Sequence, residues 1–220
     1  MMVIINFFLH QTKKNILTSM RILKPKFYSQ AKCIYQSEHQ IYVYERQPYR
    51  WVLFNQSYIQ TMIDMRKPER PILPYLQPLA VFCQLRPGNM LLLGLGGGGL
   101  IHYLKPILAT HTLTVVEKYQ NMIHIAKNYF DIPSHPHLEI ICADAKNYLK
   151  QRQITYPYIL IDLGDKDGFP SDCSHNDFFK NAYDNLNDSG ILILNLTHNH
   201  QIQSHKEILY TIFQHSPLLI

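Results

Sequence analysis

The pattern of apolar and polar positions divides the chain into two parts. Between Gln40 and Gln60, alternating positions and short apolar runs recur at strand spacing. The triplet Asn55-Gln56-Ser57 separates the last two runs and suits a hairpin turn. We therefore predict a small antiparallel sheet here. The Pro-rich, charged stretch Arg66–Pro74 connects it to a helical segment, Leu76–Leu85.

From Met90 onward, short apolar runs alternate with segments of helical period. The runs are nearly continuous, as expected when helices cover both faces of a sheet. This alternation predicts an α/β fold with a doubly wound parallel sheet, in which ligands bind beyond the carboxyl ends of the strands. The predicted strands are Met90–Leu95, Leu113–Glu117, Leu138–Cys142, Tyr158–Asp162 and Ile191–Leu196, and the predicted helices are Leu100–Ile107, Asn121–Phe130, Ala145–Gln151, Asn176–Leu186 and Lys206–Phe213.

The start of the chain shows neither of these two patterns. Met1–Ser19 opens with an apolar run that is too short to span a bilayer and precedes no small-residue cleavage pattern. We interpret it as a loose extension upstream of a working start at Met20, and no other run approaches membrane-spanning length. The predicted division is an N-terminal extension over residues 1–30, a small β-domain over 31–75 and a larger α/β domain over 76–220.

Length, charge and cysteine content narrow the class of protein. A chain of 220 residues can form one large core, or one core with a small appendage. The net charge of +5 comes from scattered Lys and Arg, so we expect no nucleic acid and no membrane as a partner. The four cysteines form no close pair, which favours a reduced, cytoplasmic setting.

A glycine cluster follows the first strand of the alternating part, and Glu117 ends the second strand. The cluster consists of Gly94, Gly96, Gly97, Gly98 and Gly99. Glycine lets the backbone approach a ligand closely, and an acid about 20 residues further on can accept hydrogen bonds from ribose hydroxyls. The spacing predicts a nucleoside site, with a turn that only caps a helix as the alternative. Whether the nucleoside belongs to a dinucleotide or to an adenosyl sulfonium stays open.

Acidic residues follow two further strands at the same edge of the predicted sheet. Asp144 could cap the next helix, could meet the exocyclic amine of an adenine, or could do both. Asp162 and Asp165 could belong to a solvated turn, or could hold a cationic amine and take its proton. The histidines show no ligand-like spacing, so we predict no metal site.

With these residues identified, the chain resembles the spermidine synthase (polyamine aminopropyltransferase) family, and in particular its bacterial spermidine synthase-like branch. The resemblance runs from about Gln40 to Leu196. Its matching segments are Tyr58-Ile59-Gln60, Pro68-Glu69-Arg70, Pro74-Tyr75, the Gly94–Gly99 turn, Val115-Val116-Glu117, Asp144-Ala145, Asp162 with Asp165, Gly168-Phe169-Pro170, Gly190-Ile191-Leu192 and Asn195-Leu196.

The resemblance implies a Rossmann-like methyltransferase core with a small N-terminal antiparallel β-domain, assembled as a homodimer. It implies a transferase that moves an aminopropyl group from decarboxylated S-adenosylmethionine to a polyamine, with no permanently bound cofactor. Glu117 would then bind the ribose and Asp144 the adenine. Asp162 would bind the amine of the donor, and Asp165 would be the catalytic base. Gln60 and Tyr75 would contact the substrate.

The chain departs from the family pattern at three places. Synthases that make spermidine have an Asp where this chain has Gly97, and their Tyr-His-Glu stretch is Tyr75-Leu76-Gln77 here. The sequence also ends at Ile220, so the closing antiparallel strand of the family is expected to be missing. Two alternatives therefore accompany the aminopropyltransferase hypothesis. One is a methyltransferase that uses S-adenosylmethionine, and the other is a non-catalytic nucleoside-binding protein.

Overall fold

The computed structural model describes residues 1–7, 25–38, 40–54, 58–73, 76–85, 87–151, 154–164, 168–196, 199–215 and 217–219. The strands are β1 (Met2–Phe7), β2 (Lys32–Gln36), β3 (Ile41–Arg46), β4 (Tyr49–Phe54), β5 (Tyr58–Asp64), β6 (Met90–Leu93), β7 (Leu113–Glu117), β8 (Leu138–Cys142), β9 (Tyr156–Ile161), β10 (Leu186–Leu196) and β11 (Leu218–Leu219). The α-helices are α1 (Pro25–Ser29), α2 (Leu76–Leu85), α3 (Gly99–Leu104), α4 (Gln120–Tyr129), α5 (Ala145–Gln151), α6 (Asn176–Asp184) and α7 (Asn199–Phe213).

Strands β2 to β5 form the small antiparallel sheet, in the order β2-β3-β4-β5. The sequence did not predict β2, because most of its side chains are exposed and show no alternation of burial. One face of the sheet packs Val43, Val52 and Ile63 against Ile125 and Phe130 of the α4 region. This packing joins the small sheet to the larger one. The predicted turn at Asn55-Gln56-Ser57 lies outside the described residues.

The remaining strands form a parallel sheet in the order β11-β1-β10-β9-β6-β7-β8. Alternate residues of each central strand enter opposite cores. Leu91 and Leu93 of β6 belong to one core, while Met90 and Leu92 belong to the other. Because both faces are buried, these strands need apolar residues at every position, which explains the continuous runs in the sequence. The doubly wound parallel sheet is confirmed.

The expectation of a loose extension is wrong for Met2–Phe7. This segment is β1, which pairs in parallel with β10 on one side and with β11 on the other. Val3 and Ile5 enter one core, and Ile4 enters the opposite core. Within the described part of the chain, no antiparallel strand joins the large sheet, and β1 lies between β10 and β11 instead.

The short helix α1, at the end of the predicted extension 1–30, packs against the small sheet. Phe27 and Tyr28 of α1 pack their rings against Trp51 of the small sheet. Residues 25–29 therefore contact the small sheet directly. The remaining boundaries of the predicted division stay predictions.

Most of the other elements lie where the sequence places them, with shifted ends. The predicted helix Leu100–Ile107 is α3 followed by a 3-10 turn at Lys105–Ala109, because Pro106 cannot donate a helical hydrogen bond. Strand β10 begins at Leu186, with a register shift before Ile191. Among the described residues, none of the helices combines the length and apolar character that crossing a bilayer requires.

Candidate active site

A cavity of about 430 Å³ opens at the carboxyl ends of β6, β7, β8 and β9. The small sheet contributes to its wall through Ile41, Gln60 and Thr61. The predicted site residues that line this cavity are Gln60, Gly94, Gly96, Glu117, Asp144 and Asp162. The structure therefore brings most of the predicted residues together. Tyr75 and Asp165 lie outside the described residues, so their roles stay predictions.

The glycine turn packs closely against the end of β9. Gly94 has φ = +100°, and a Cβ at this position would overlap the backbone oxygen of Asp162. The backbone N–H of Asp162 in turn donates to the Leu93 carbonyl at 2.9 Å. A side chain at position 94 would therefore be strained and would push Asp162 away from the cavity.

Thr61 of β5 packs against the turn from the small sheet. The Gly97 N–H donates to Thr61 Oγ1 at 2.8 Å. A Cβ at position 97 would lie 2.9 Å from both Cβ and Cγ2 of Thr61. Thr61 is buried and occupies the space that a side chain at position 97 would need. Gly97, which stands where the family pattern has an Asp, therefore packs against a Thr61 side chain that leaves no room for a larger residue.

Glu117 ends β7 and is held by the backbone on both sides. Its Oε2 accepts the Leu95 N–H at 3.1 Å, and its Oε1 accepts the Tyr119 N–H at 2.9 Å. Burial raises the pKa of the Glu117 carboxyl above its usual range, and these two hydrogen bonds oppose that shift. Its hydrogen bonds to the backbone therefore fix the orientation of the carboxylate, which lies on the cavity wall.

Asp144 lies on the wall next to Glu117, at the end of β8. Its Oδ1 accepts the backbone N–H groups of Lys146 at 3.0 Å and Asn147 at 3.3 Å. This geometry confirms that Asp144 caps α5. Its Oδ2 lies 3.4 Å from Lys118 Nζ. A contact with an adenine amine would add to the cap and would not replace it, so that role stays a prediction.

Asp162 follows β9 and lines the same cavity. Asn195 of β10 donates from Nδ2 to Asp162 Oδ1 at 2.7 Å. Burial raises the pKa of the Asp162 carboxyl, and the hydrogen bond from Asn195 opposes that shift. A half-buried carboxylate of this kind could bind a cationic nitrogen or accept a proton from it.

The α/β part of the chain matches a known protein family. A family model, the spermine/spermidine synthase domain, matches residues 75–216, which is more than half of the chain. The chain belongs to the spermine/spermidine synthase family.

Relatives within the spermine/spermidine synthase family are polyamine aminopropyltransferases, which are transferases. The protein from Vibrio vulnificus is 25% identical over 206 residues, covering 89% of this chain and 67% of that protein. The protein from Neisseria meningitidis is 26% identical over 141 residues, covering 62% of this chain and 54% of that protein. The chain spans about half the length of most of the curated relatives it matches.

Solved structures from the same family share the fold. A probable spermidine synthase from Corynebacterium glutamicum superposes with a TM-score of 0.71 at 17% identity, covering 84% of this chain and 71% of that one. A spermidine synthase in complex with the transition state analogue AdoDATO superposes with a TM-score of 0.67 at 18% identity, covering 84% and 66%. These likenesses confirm the Rossmann-like core with a small N-terminal antiparallel sheet.

Sequence reasoning missed several residues of the site in this family member. Thr61, Lys118, Asp172 and Asn195 all line the cavity. Thr61 and Lys118 directly follow predicted site residues, and Asn195 lies inside a predicted strand. A single polar residue at such a place follows no pattern that would mark it as a site residue. Lys118 pairs with Asp144, and Lys146 pairs with Asp172.

Proposed function

We propose that this chain is an aminopropyltransferase that moves an aminopropyl group from decarboxylated S-adenosylmethionine to an amine acceptor. The observation that supports this most is one cavity with Glu117 and Asp162 on its wall, on either side of the glycine turn, in a member of the spermine/spermidine synthase family. In this proposal Glu117 binds a ribose, and Asp162 binds the cationic chain attached to that ribose.

The proposed reaction is a displacement at carbon. The lone pair of the acceptor nitrogen attacks the aminopropyl carbon that is bonded to the sulfonium sulfur. The C–N bond forms as the C–S bond breaks, and the bonding pair returns to sulfur to give neutral 5′-methylthioadenosine. The acceptor must lose a proton before it attacks. A carboxylate can take that proton, and one with a raised pKa holds it better.

We propose roles for individual residues from the family resemblance and, for Asp144, Glu117, Asp162 and Gln60, from their places on the cavity wall. Asp144 would lie by the base and Glu117 by the ribose hydroxyls. Asp162 would bind the ammonium group of the donor. Asp165, three residues further along the chain, is proposed as the base, and Gln60 and Tyr75 as contacts to the acceptor. We propose a polyamine or another amine as that acceptor, and a homodimer as the assembly.

Product analysis by mass spectrometry tests the proposal. The purified chain is incubated with decarboxylated or plain S-adenosylmethionine and a panel of diamines and polyamines. We expect 5′-methylthioadenosine and an aminopropylated amine, formed only from the decarboxylated donor. Asp165→Asn should lower turnover about a hundredfold or more. A methylated product would instead show a methyltransferase, and nucleoside binding without product would show a non-catalytic protein. Light scattering would test the homodimer.

A further inference from the structure

Asn195 is a buried polar residue of the cavity wall that the proposed chemistry has not used. It lies near the carboxyl end of β10, and the register pairs Leu194 with Ile161 of β9. Asn195 and Asp162, one residue further along each strand, are therefore neighbours across the two strands. Only 3% of Asn195 is exposed, and it lines the cavity together with Asp162.

The contact between the two side chains is short and directional. Asn195 Nδ2 lies 2.7 Å from Asp162 Oδ1, at the short end of the range for an N–H···O hydrogen bond. An amide N–H can only donate, so it favours the ionised carboxylate over the neutral acid. The backbone of Asp162 is held separately, by the Leu93 carbonyl and by the close packing of Gly94. The hydrogen bond therefore acts on the side chain.

We propose that Asn195 is a positioning residue that keeps the Asp162 carboxylate ionised and turned so that Oδ2 is the oxygen presented to a cationic substrate nitrogen. This inference rests on the proposed function for the identity of that nitrogen. The pairing of Asn195 with Asp162 does not depend on the proposed function, because it is a property of the protein without ligand.

The groups around Asp162 allow this assignment to be tested by titration. Asp162 is contacted by Leu93 of β6, by Gly94 directly after that strand and by Asn195 of β10. None of these three residues titrates. Glu117 and Asp144 are acids on the same cavity wall, and Lys118 faces Asp144. Asp165 and Asp167, which follow along the chain, lie outside the described residues. Among the described residues, Asn195 is the hydrogen-bond donor to the Asp162 side chain, and removing its amide tests that bond.

The test measures the protonation of Asp162 directly, by carbon-13 NMR of aspartate-labelled protein, with the signal assigned from Asp162→Asn. In Asn195→Ala we expect the Asp162 pKa to rise by about one pH unit, a tenfold change in proton affinity. Asn195→Asp keeps the side-chain volume and places a second acid beside Asp162. It should raise the apparent pKa further, because two adjacent carboxyl groups share a proton.

A matched control is Asn185→Ala. Asn185 is equally buried, but its amide donates to the carbonyls of Leu149 and Asn181, away from the cavity. This variant should lose stability and leave the Asp162 titration unchanged. An unchanged Asp162 pKa in both Asn195 variants, or the same shift in Asn185→Ala, would overturn the proposal.

Binding and turnover separate this inference from the proposed function. In Asn195→Ala, affinity for 5′-methylthioadenosine should stay within about twofold of wild type. Affinity for decarboxylated S-adenosylmethionine should fall about tenfold near neutral pH, since only that ligand brings a cation to Asp162. Equal losses for both ligands would contradict the positioning role. If wild type turns over no donor, the proposed function fails, and the NMR titration still decides whether Asn195 controls Asp162.

Discussion

Among single residues, Glu117 combines a structural role with a proposed binding role in one carboxylate. It accepts two backbone N–H groups of the turn and lies on the cavity wall. Glu117→Gln keeps the shape and removes the charge, so it should weaken hydrogen bonds worth about 1.5–3 kcal/mol each to the ribose hydroxyls. We expect affinity for 5′-methylthioadenosine to fall at least about tenfold by calorimetry. Glu139→Gln, at an exposed position of β8, is the control and should bind normally. Unchanged binding in Glu117→Gln would remove Glu117 from the site.

Asp162 and Asp172 are two acids of the same cavity, and their contributions to the stability of the fold should depend on pH in opposite directions. Burial raises the pKa of Asp162 above 3.8, so its stabilising contribution is present below that pH and is lost as pH rises through the raised value. Lys146 lowers the pKa of Asp172, so its contribution is present above 3.8 and is lost as pH falls.

The two asparagine variants should therefore diverge. Between pH 4 and pH 7, the melting temperature of Asp162→Asn should rise relative to wild type. That of Asp172→Asn should stay level relative to wild type in this range. It should change only below about pH 4, where it should rise slightly relative to wild type as pH falls, because this ion pair is partly exposed. Thermal unfolding across the pH range measures both. Parallel curves for wild type and Asp162→Asn would mean that the carboxyl of Asp162 is not desolvated.

Gly97 and Thr61 form a pair in which neither residue can be changed independently. Gly97→Asp introduces a Cβ 2.9 Å from Thr61, and overpacking of this kind costs about 1–3 kcal/mol. Adding Thr61→Gly creates the missing space, so the double variant should be more stable than the sum of the two single changes predicts. In the double variant, the new acid should also shift binding toward decarboxylated over plain S-adenosylmethionine. Urea unfolding of the four proteins and competition binding test both points. Additive stabilities would show that the two positions do not meet.

At the scale of elements, local pattern predicted best where the partner strand is near in sequence. The bounds predicted for β8 and α5 match the structure residue for residue. An apolar run predicts β8, and Asp144, which follows it, predicts the start of α5 because it caps that helix. Strand β2 was missed because it is an exposed edge strand, in which side-chain burial leaves no period to detect.

Strand β1 was missed for a different reason. Its run of apolar residues is plain in the sequence, but its partners are β10 and β11, near the opposite end of the chain. Local pattern predicts that a segment is apolar, and it does not predict which distant strand that segment joins. An insertion between two strands is settled by tertiary packing, so the sequence predicted an extension instead.

The burial of Ile5 distinguishes a sheet strand from a loose extension. Ile5 is fully buried in the core, whereas Ile154 is 52% exposed. Ile5→Ala should lower the free energy of unfolding by about 2–5 kcal/mol, the usual cost of a core cavity. Ile154→Ala should change it by less than about 0.5 kcal/mol. Urea unfolding of both variants measures the difference. Equal, small effects would mean that β1 does not belong to the sheet.

For the whole molecule, the cavity depends on both sheets. The large sheet supplies the acids, and their place at its carboxyl edge could be predicted because parallel strands end together. The small sheet supplies Ile41, Gln60 and Thr61, and only Gln60 among these was expected, from the family resemblance. The approach of one sheet to the other depends on packing such as that of Phe130 against Val52, which no local period encodes.

A ligand that contacts both sheets should therefore slow the local opening of both. Binding of 5′-methylthioadenosine at 100 times its dissociation constant stabilises the bound form by about 2.7 kcal/mol. Amide hydrogen exchange, followed by mass spectrometry, should slow in the glycine turn and in β5, whose Thr61 accepts the Gly97 N–H. Helix α6 lines no part of the cavity and serves as the internal control. Protection of the glycine turn with no change in β5 would show that the nucleoside contacts the large sheet only, and that Thr61 supports the turn without closing the site.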